Sequence, residues 1–342
     1  VLSRVIAISI VGVLTLPQRA PAAEVLAPGN FIHVVADLNR TIDFYQGVLG
    51  LERANAAAGA PRFAANPAVA RLYSVPEDTL IGVTIFRLPE RGVALEFAQF
   101  GHGGHRAPRL HAQDPGTAVL VLVVHDLDGL RRKLSAAHVP VISAGDAAAS
   151  DAAQGTRELV VTDPDGYLVE LVERTAGAGN ATSGNVRQAG LMLSVSNTDR
   201  TVQFYRELLG MPMSVQASFV TDRALSRALG IRGGQLRHST VTLPGTDFRY
   251  DFVEWRGVVR HPSTTGIHDE GVGVLRLVVA NVDSLVARLQ ADGVPIASAG
   301  KCPIALNAAF HTCILADPNG LFIEPVPRLP PGRPTAQSAA SR

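Results

Sequence analysis

The sequence predicts an α+β protein built from four copies of one strand–helix–strand–strand–strand unit, paired into two domains. The first observation behind this is repetition: RTIDFYQGVLG at 40–50 returns as RTVQFYRELLG at 200–210. The second is that shorter signals follow in the same order. DPG at 114–116 returns as DEG at 269–271, HVP at 138–140 as GVP at 293–295, and DPDG at 163–166 as DPNG at 317–320. The offset drifts only from 160 to 154 residues, the behaviour of a duplicated domain. The third is length, since 342 residues suggest two domains independently of the repeat.

Each half divides again. FIHVVADL (31–38) has the β-branched content of a strand. A helix follows over 40–49, with Asn39 as its expected cap and Gly50 as its stop. A loop and short helix (66–74) lead to strands at 80–89 and 93–100. The next quarter repeats the plan: strand 118–124, helix 127–137, a strand near 139–143, and strands 158–163 and 167–173 around a Pro164-Asp165-Gly166 turn. The expected layout is a domain over 28–174, a Gly/Ala/Ser/Thr-rich linker over 175–185, and a second domain over 186–327. The Pro/Ala/Ser-rich segment 328–342 reads as a disordered tail.

Composition narrows the function classes. Hydrophobic residues make up 46% and charged residues 18% of the chain, which fits compact domains and excludes a disordered one. A net charge of +1 with scattered basic residues gives no footprint for nucleic acid. Segment 1–23 reads as an export signal: Arg4, then an apolar run from Val5 to Leu16, then Ala20-Pro21-Ala22 as the cleavage pattern. No second apolar span follows, so the expectation is a periplasmic or secreted protein with no stable membrane span once the signal is removed. Cys302 and Cys313 flank an expected hairpin, and either a disulfide or two buried thiols fits them.

Four βαβββ units, the D-L-x-R-[ST]-x-x-F-Y helix start, the L-G helix end and D-P-[DN]-G before a final x-x-E strand resemble the vicinal oxygen chelate superfamily. That superfamily includes glyoxalase I, methylmalonyl-CoA epimerase, extradiol dioxygenases and bleomycin- or fosfomycin-resistance proteins. The resemblance spans about residues 28–327 and implies two domains with cup-shaped mixed sheets. It also implies where a metal would sit, on the first and last strands of paired units. Counting back seven residues from the Asp or Asn before each helix gives Asn30, Val119, Gly190 and Val274 for the first strands, none of them histidine. The last-strand positions are Glu96, Glu170, Asp251 and Glu324.

The expected site is therefore Asn30, Glu96 and Glu170 in the first domain, as metal ligands or with the two glutamates as catalytic groups. Asn30, Asp251 and Glu324 are candidate ligand-binding residues. Two carboxylates and an amide suit zinc or iron poorly, and an extradiol dioxygenase would need two first-strand histidines that are missing. His33 lies three residues from Asn30, so strand alternation turns it away from the cup. Histidines 102, 105, 111, 261 and 268 read as solvated loop residues, while His238 and His311 remain possible cup-lining groups.

Two readings stay open. One is an exported binding protein that holds a small molecule in each cup, with a degenerate metal site. The other is a lyase or isomerase using one divalent ion, Mn, Ni, Zn or Mg, with Glu96 and Glu170 as ligand or general base. Either takes a small molecule as its partner and fits a monomer or a homodimer.

Overall fold

A computed structural model of the chain describes residues 24–54, 62–101, 111–143, 149–151, 155–174 and 184–328. The expected signal segment lies outside these residues, as do all but the ends of the linker and tail. The first unit contains β1 (Val25–Val34), α1 (Leu38–Ile42), β2 (Arg62–Ala64), α2 (Pro67–Tyr73), β3 (Leu80–Arg87) and β4 (Ala94–Phe100). The second contains β5 (Ala118–Val124), α3 (Leu127–Ala136), β6 (Ala149–Asp151), β7 (Thr156–Thr162) and β8 (Leu168–Arg174). The third contains β9 (Val186–Val195), α4 (Thr198–Val202), β10 (Met213–Val215), α5 (Arg223–Ala228), β11 (Gln235–Thr242) and β12 (Arg249–Arg256). The fourth contains β13 (Gly273–Val279), α6 (Val282–Ala291), β14 (Ile304–Asn307), β15 (Phe310–Thr312), β16 (Leu315–Ala316) and β17 (Phe322–Pro327).

Local chemistry explains the element ends. Asp37, not Asn39, caps α1: its carboxylate accepts from the backbone N–H groups of Asn39 and Arg40. An extended Asp two residues earlier reaches both donors, which leaves Asn39 inside the helix. α1 runs on as a π-helical turn over Asp43–Val48, and α4 does the same over Gln203–Leu208. Both end at a glycine with positive φ, Gly50 at 78° and Gly210 at 68°, which supplies the left-handed stop. The strand expected near 139–143 is reduced to a single bridge between Val141 and Val161. Cys302 and Cys313 are joined by a disulfide across the β14–β15 hairpin.

The sheets do not follow the sequence halves. One seven-stranded sheet has the order β16-β17-β13-β1-β4-β3-β2, and one eight-stranded sheet the order β10-β11-β12-β9-β5-β8-β7-β6. The first and fourth units therefore share a sheet through the antiparallel pair β1–β13. The second and third share the other through β5–β9. Flanking pairs β1–β4, β13–β17, β5–β8 and β9–β12 are parallel, so both sheets are mixed.

The two units of one half meet instead through their helices and turns. Tyr45, in the π-helical turn after α1, donates its hydroxyl to Asp163 at 3.2 Å, and Tyr205 donates to Asp317 at 3.0 Å. Each aspartate opens a D-P-[DN]-G turn and holds it with its other oxygen. Asp163 accepts from the N–H groups of Asp165 and Tyr167, and Asp317 from those of Asn319 and Leu321. The repeated F-Y and D-P motifs are thus the two sides of one contact, which ties the sheets together.

Two tests follow from this topology. Tyr205→Phe removes one buried hydrogen bond and should lower stability by about 1–2 kcal/mol, read as a shift in urea midpoint. Residues 24–174 expressed alone lack β13 and β9, so they should stay unfolded or dimerise through β1 and β5. A folded monomer in size-exclusion chromatography would contradict the shared sheets.

Candidate functional site

In the seven-stranded sheet, the carboxylates at the ligand positions are already bound. Arg276 on β13 donates from Nη1 to Glu96 Oε2 and from Nε to Glu324 Oε2, both at 2.9 Å. Asn30 Nδ2 donates to the same Glu96 oxygen at 2.9 Å. The Thr312 hydroxyl faces Glu324 Oε1 at 3.2 Å and the Pro325 carbonyl at 2.9 Å. β1 bulges between Pro28 and Phe31, and the backbone runs so close to Arg276 that a Cβ on Gly29 would lie 2.9 Å from its Cγ. Only glycine leaves room there.

The charges balance accordingly. Burial disfavours a charged Arg276, but Glu324 and Glu96 outweigh it and hold the guanidinium more firmly protonated than usual. Burial pushes the Glu324 carboxyl up, with Arg276 opposing the rise and Glu96 adding to it. Burial and the nearby Glu324 raise the Tyr73 phenol, so it stays neutral beside this group. A guanidinium thus stands between the two last-strand carboxylates.

The eight-stranded sheet is built on the same plan with different contents. A cavity of about 550 Å³ opens over it, lined among others by Val121, Glu158, Glu170, Met192, Asp222, His238, Arg249 and Asp251. Asp251 is held on both sides: His238 Nε2 lies 2.9 Å from one oxygen, and Arg249 Nε donates to the other at 2.7 Å. Asp222 caps α5 by accepting from the Leu225 N–H at 2.9 Å. Glu170 is only 4% exposed and bonds to no other described side chain. Burial, then Glu158 and Asp251, push its carboxyl up to about 8, with Arg249 opposing. Near neutral pH it is largely a protonated acid that can donate a hydrogen bond.

Several sequence expectations need correction. Asn30, Glu96 and Glu170 do not meet: the first two belong to the seven-stranded sheet and Glu170 to the other. Their grouping assumed that neighbouring units in sequence share a sheet, whereas β1 pairs with β13. For the same reason Asp251 and Glu324 are separated, Asp251 lying with Glu170 and Glu324 with Glu96. Arg276 was missed because it lies two residues beyond the counted position Val274, on the same strand face. A lone charge inside GVLRLVV was the available signal.

His33 faces the helix side as alternation requires. It is buried with its Nε2 3.3 Å from Asp163, against the rings of Phe97 and Tyr167. His238 lines the cavity, while His311 turns to Asp283 at 3.5 Å. Among the loop histidines, His111 and His261 both approach Asp114, at 3.2 and 3.8 Å, and His102 and His105 lie outside the described residues.

The fold agrees with that of known proteins. The profile of the Glyoxalase/Bleomycin resistance protein/Dioxygenase superfamily matches residues 29–171 and 187–324, and the chain belongs to that family. Among solved structures, glyoxalase I from Zea mays superposes with a TM-score of 0.56 at 16% identity, covering 88% of this chain and 92% of that one. A putative dioxygenase from Bacillus subtilis subsp. subtilis str. 168 superposes at 0.54 with 15% identity, covering 94% and 92%. At these identities the likeness concerns the fold. No curated protein matches the chain.

A divalent ion at the family positions does not fit the residues present. Glu96 and Glu324 are committed to Arg276, and Asp251 to Arg249 and His238. Among the described residues, no group of three or more His, Cys, Asp or Glu could hold a metal ion.

Arg276→Met should leave two buried carboxylates without their cation and cost about 3–5 kcal/mol in denaturant unfolding. Adding Glu96→Gln and Glu324→Gln should recover most of that loss. For Glu170 the sign is opposite to that of a salt-bridged acid. Its folded pKa of about 8 is above the unfolded value, so the native state binds the extra proton. Stability therefore falls as pH rises from the ordinary carboxyl range toward about 8, by at most about 1.4 kcal/mol per pH unit. Glu170→Gln should flatten that slope in thermal melts across the interval.

Proposed function

We propose that the chain is a small-molecule-binding member of its superfamily and that its ligand site is the cup of the eight-stranded sheet. The observation that carries this reading is the cavity of about 550 Å³ with Glu170 on its floor. Ligand pockets combine apolar walls with a few convergent polar groups. Here the walls include Val121, Val172, Met192, Leu225, Leu236 and Val253, and the polar groups include Glu158, Glu170, Arg174, Asp222 and the Asp251–His238–Arg249 set. The other cup is filled by its own arginine. The reading thus puts ligand binding in one cup of the two and gives it no dependence on a divalent ion.

The test is a fragment screen by ligand-observed NMR, repeated on Val121→Phe and after chelation. Hits on the wild type that vanish in Val121→Phe and survive chelation are the expected result. Hits that persist in Val121→Phe would place binding elsewhere, and hits lost on chelation would restore the metal reading.

One observation favours an enzyme as the second reading. An acid poised at about 8 in the same cavity as His238 is suited to general acid–base work at neutral pH. Uptake of solvent deuterium into a captured ligand, lost in Glu170→Gln, would identify a proton-transfer step.

Export is proposed on the 1–23 pattern, and the Cys302–Cys313 disulfide supports it, since such bonds persist in oxidising compartments. N-terminal sequencing of the mature protein should find cleavage after Ala22 or Ala23. Among the described residues no helix is long and apolar enough to cross a membrane.

A further inference from the structure

The two cups can be compared position by position because their registers coincide. Arg276 on β13 pairs with Glu324, and Val121 on β5 pairs with Glu170. Val121 is thus the counterpart of Arg276, as AVLVLVV (118–124) against GVLRLVV (273–279) also shows. The left-handed residues after α2 and α5, Ser74 and Gly230, align Tyr73 with Leu229. The serines that bond those helices agree: Ser298 donates to the Leu72 carbonyl and Ser143 to that of Ala228. The same serines accept from Ile314 and Val160, which aligns Thr312 with Glu158. The counted first-strand positions pair Asn30 with Gly190.

Every donor that satisfies the carboxylates of the filled cup has therefore been lost in the other. Asn30, Arg276 and Thr312 are replaced by Gly190, Val121 and Glu158, and Tyr73 by the smaller Leu229. The acidic floor is kept, as Glu170 and Asp251. Arg174 and Arg249 still line the cavity, but the place of Arg276, next to Glu170, is taken by the smaller and uncharged Val121.

We propose that the cup of the eight-stranded sheet binds a small organic cation, a guanidinium or protonated amine on a short apolar body, whose charged head takes the place that Arg276 fills in the other cup. The inference rests on the reading of this cup as the ligand site and adds the ligand's class. The bound head would face Glu170 and displace the proton it holds near neutral pH, with Asp251 already held by Arg249 and His238 and Asp222 capping α5 at the edge. The body would lie on Val121, Met192, Leu236 and Val253. Arg276 on Glu324 supplies an internal picture of that contact.

The experiment compares three probes with the same body, butylguanidinium, butylurea and pentanoate, by calorimetric titration near neutral pH. Butylguanidinium should bind at least about tenfold more tightly than the other two, the scale of one charge-assisted hydrogen bond. Val121→Arg, which gives the cup its own guanidinium, should abolish that binding, and Glu170→Gln should weaken it about tenfold. If Val121→Arg fails to fold, Glu170→Gln carries the test alone. Equal or tighter binding of butylurea or pentanoate, lost in Val121→Phe, would overturn the ligand class and leave the cup as a binding site. Binding of no probe would overturn both readings. Butylguanidinium binding that Glu170→Gln leaves unchanged would place the cation elsewhere and overturn the inference.

Discussion

The pairing of β1 with β13 and of β5 with β9 decides everything else about this molecule. First strands from opposite halves lie antiparallel at the centre of each sheet, so each cup is assembled from residues far apart in sequence. Glu96 and Arg276 are 180 residues apart yet 2.9 Å from each other. Contacts of such range close late and add no local signal to the chain. Once they close, they fix which carboxylates face which cations, and from that the protonation of both cups follows.

The two cups show how one framework handles buried acid in different ways. In one, a guanidinium, an amide and a hydroxyl surround Glu96 and Glu324. In the other, valine, glycine and a further glutamate stand at those places, and Glu170 answers by holding its proton. A carboxyl without donors in a low-dielectric site either neutralises or waits for a cation. Sheet architecture is indifferent to the choice, because the β-ladder uses only backbone groups. Divergence of the copies has therefore been free to act on the inward side chains while the strands stayed in register.

Much of the fold was legible in the sequence because its signals are local. The repeated helix start, the Gly50 and Gly210 stops and the D-P-[DN]-G turns are short-range chemistry, and the structure places each as a cap, stop or turn. The inward-facing acids were also found, because the family resemblance implies their places on the last strands. The partner of each strand was not legible, and the site was misassembled for that reason: Glu96 was matched with Glu170 when its true companion is Glu324. Arg276 and Val121 stood in plain view at equivalent places in two nearly identical segments. Their meaning depends on a cross-half ladder that no periodicity encodes.

The shared sheets also constrain how this protein can change by recombination. Exchanging one half for that of a relative would import one wall of each cup and leave the opposite wall native. Specificity in such chimeras is inherited as combinations of walls, so that neither parent's pocket passes intact to the offspring.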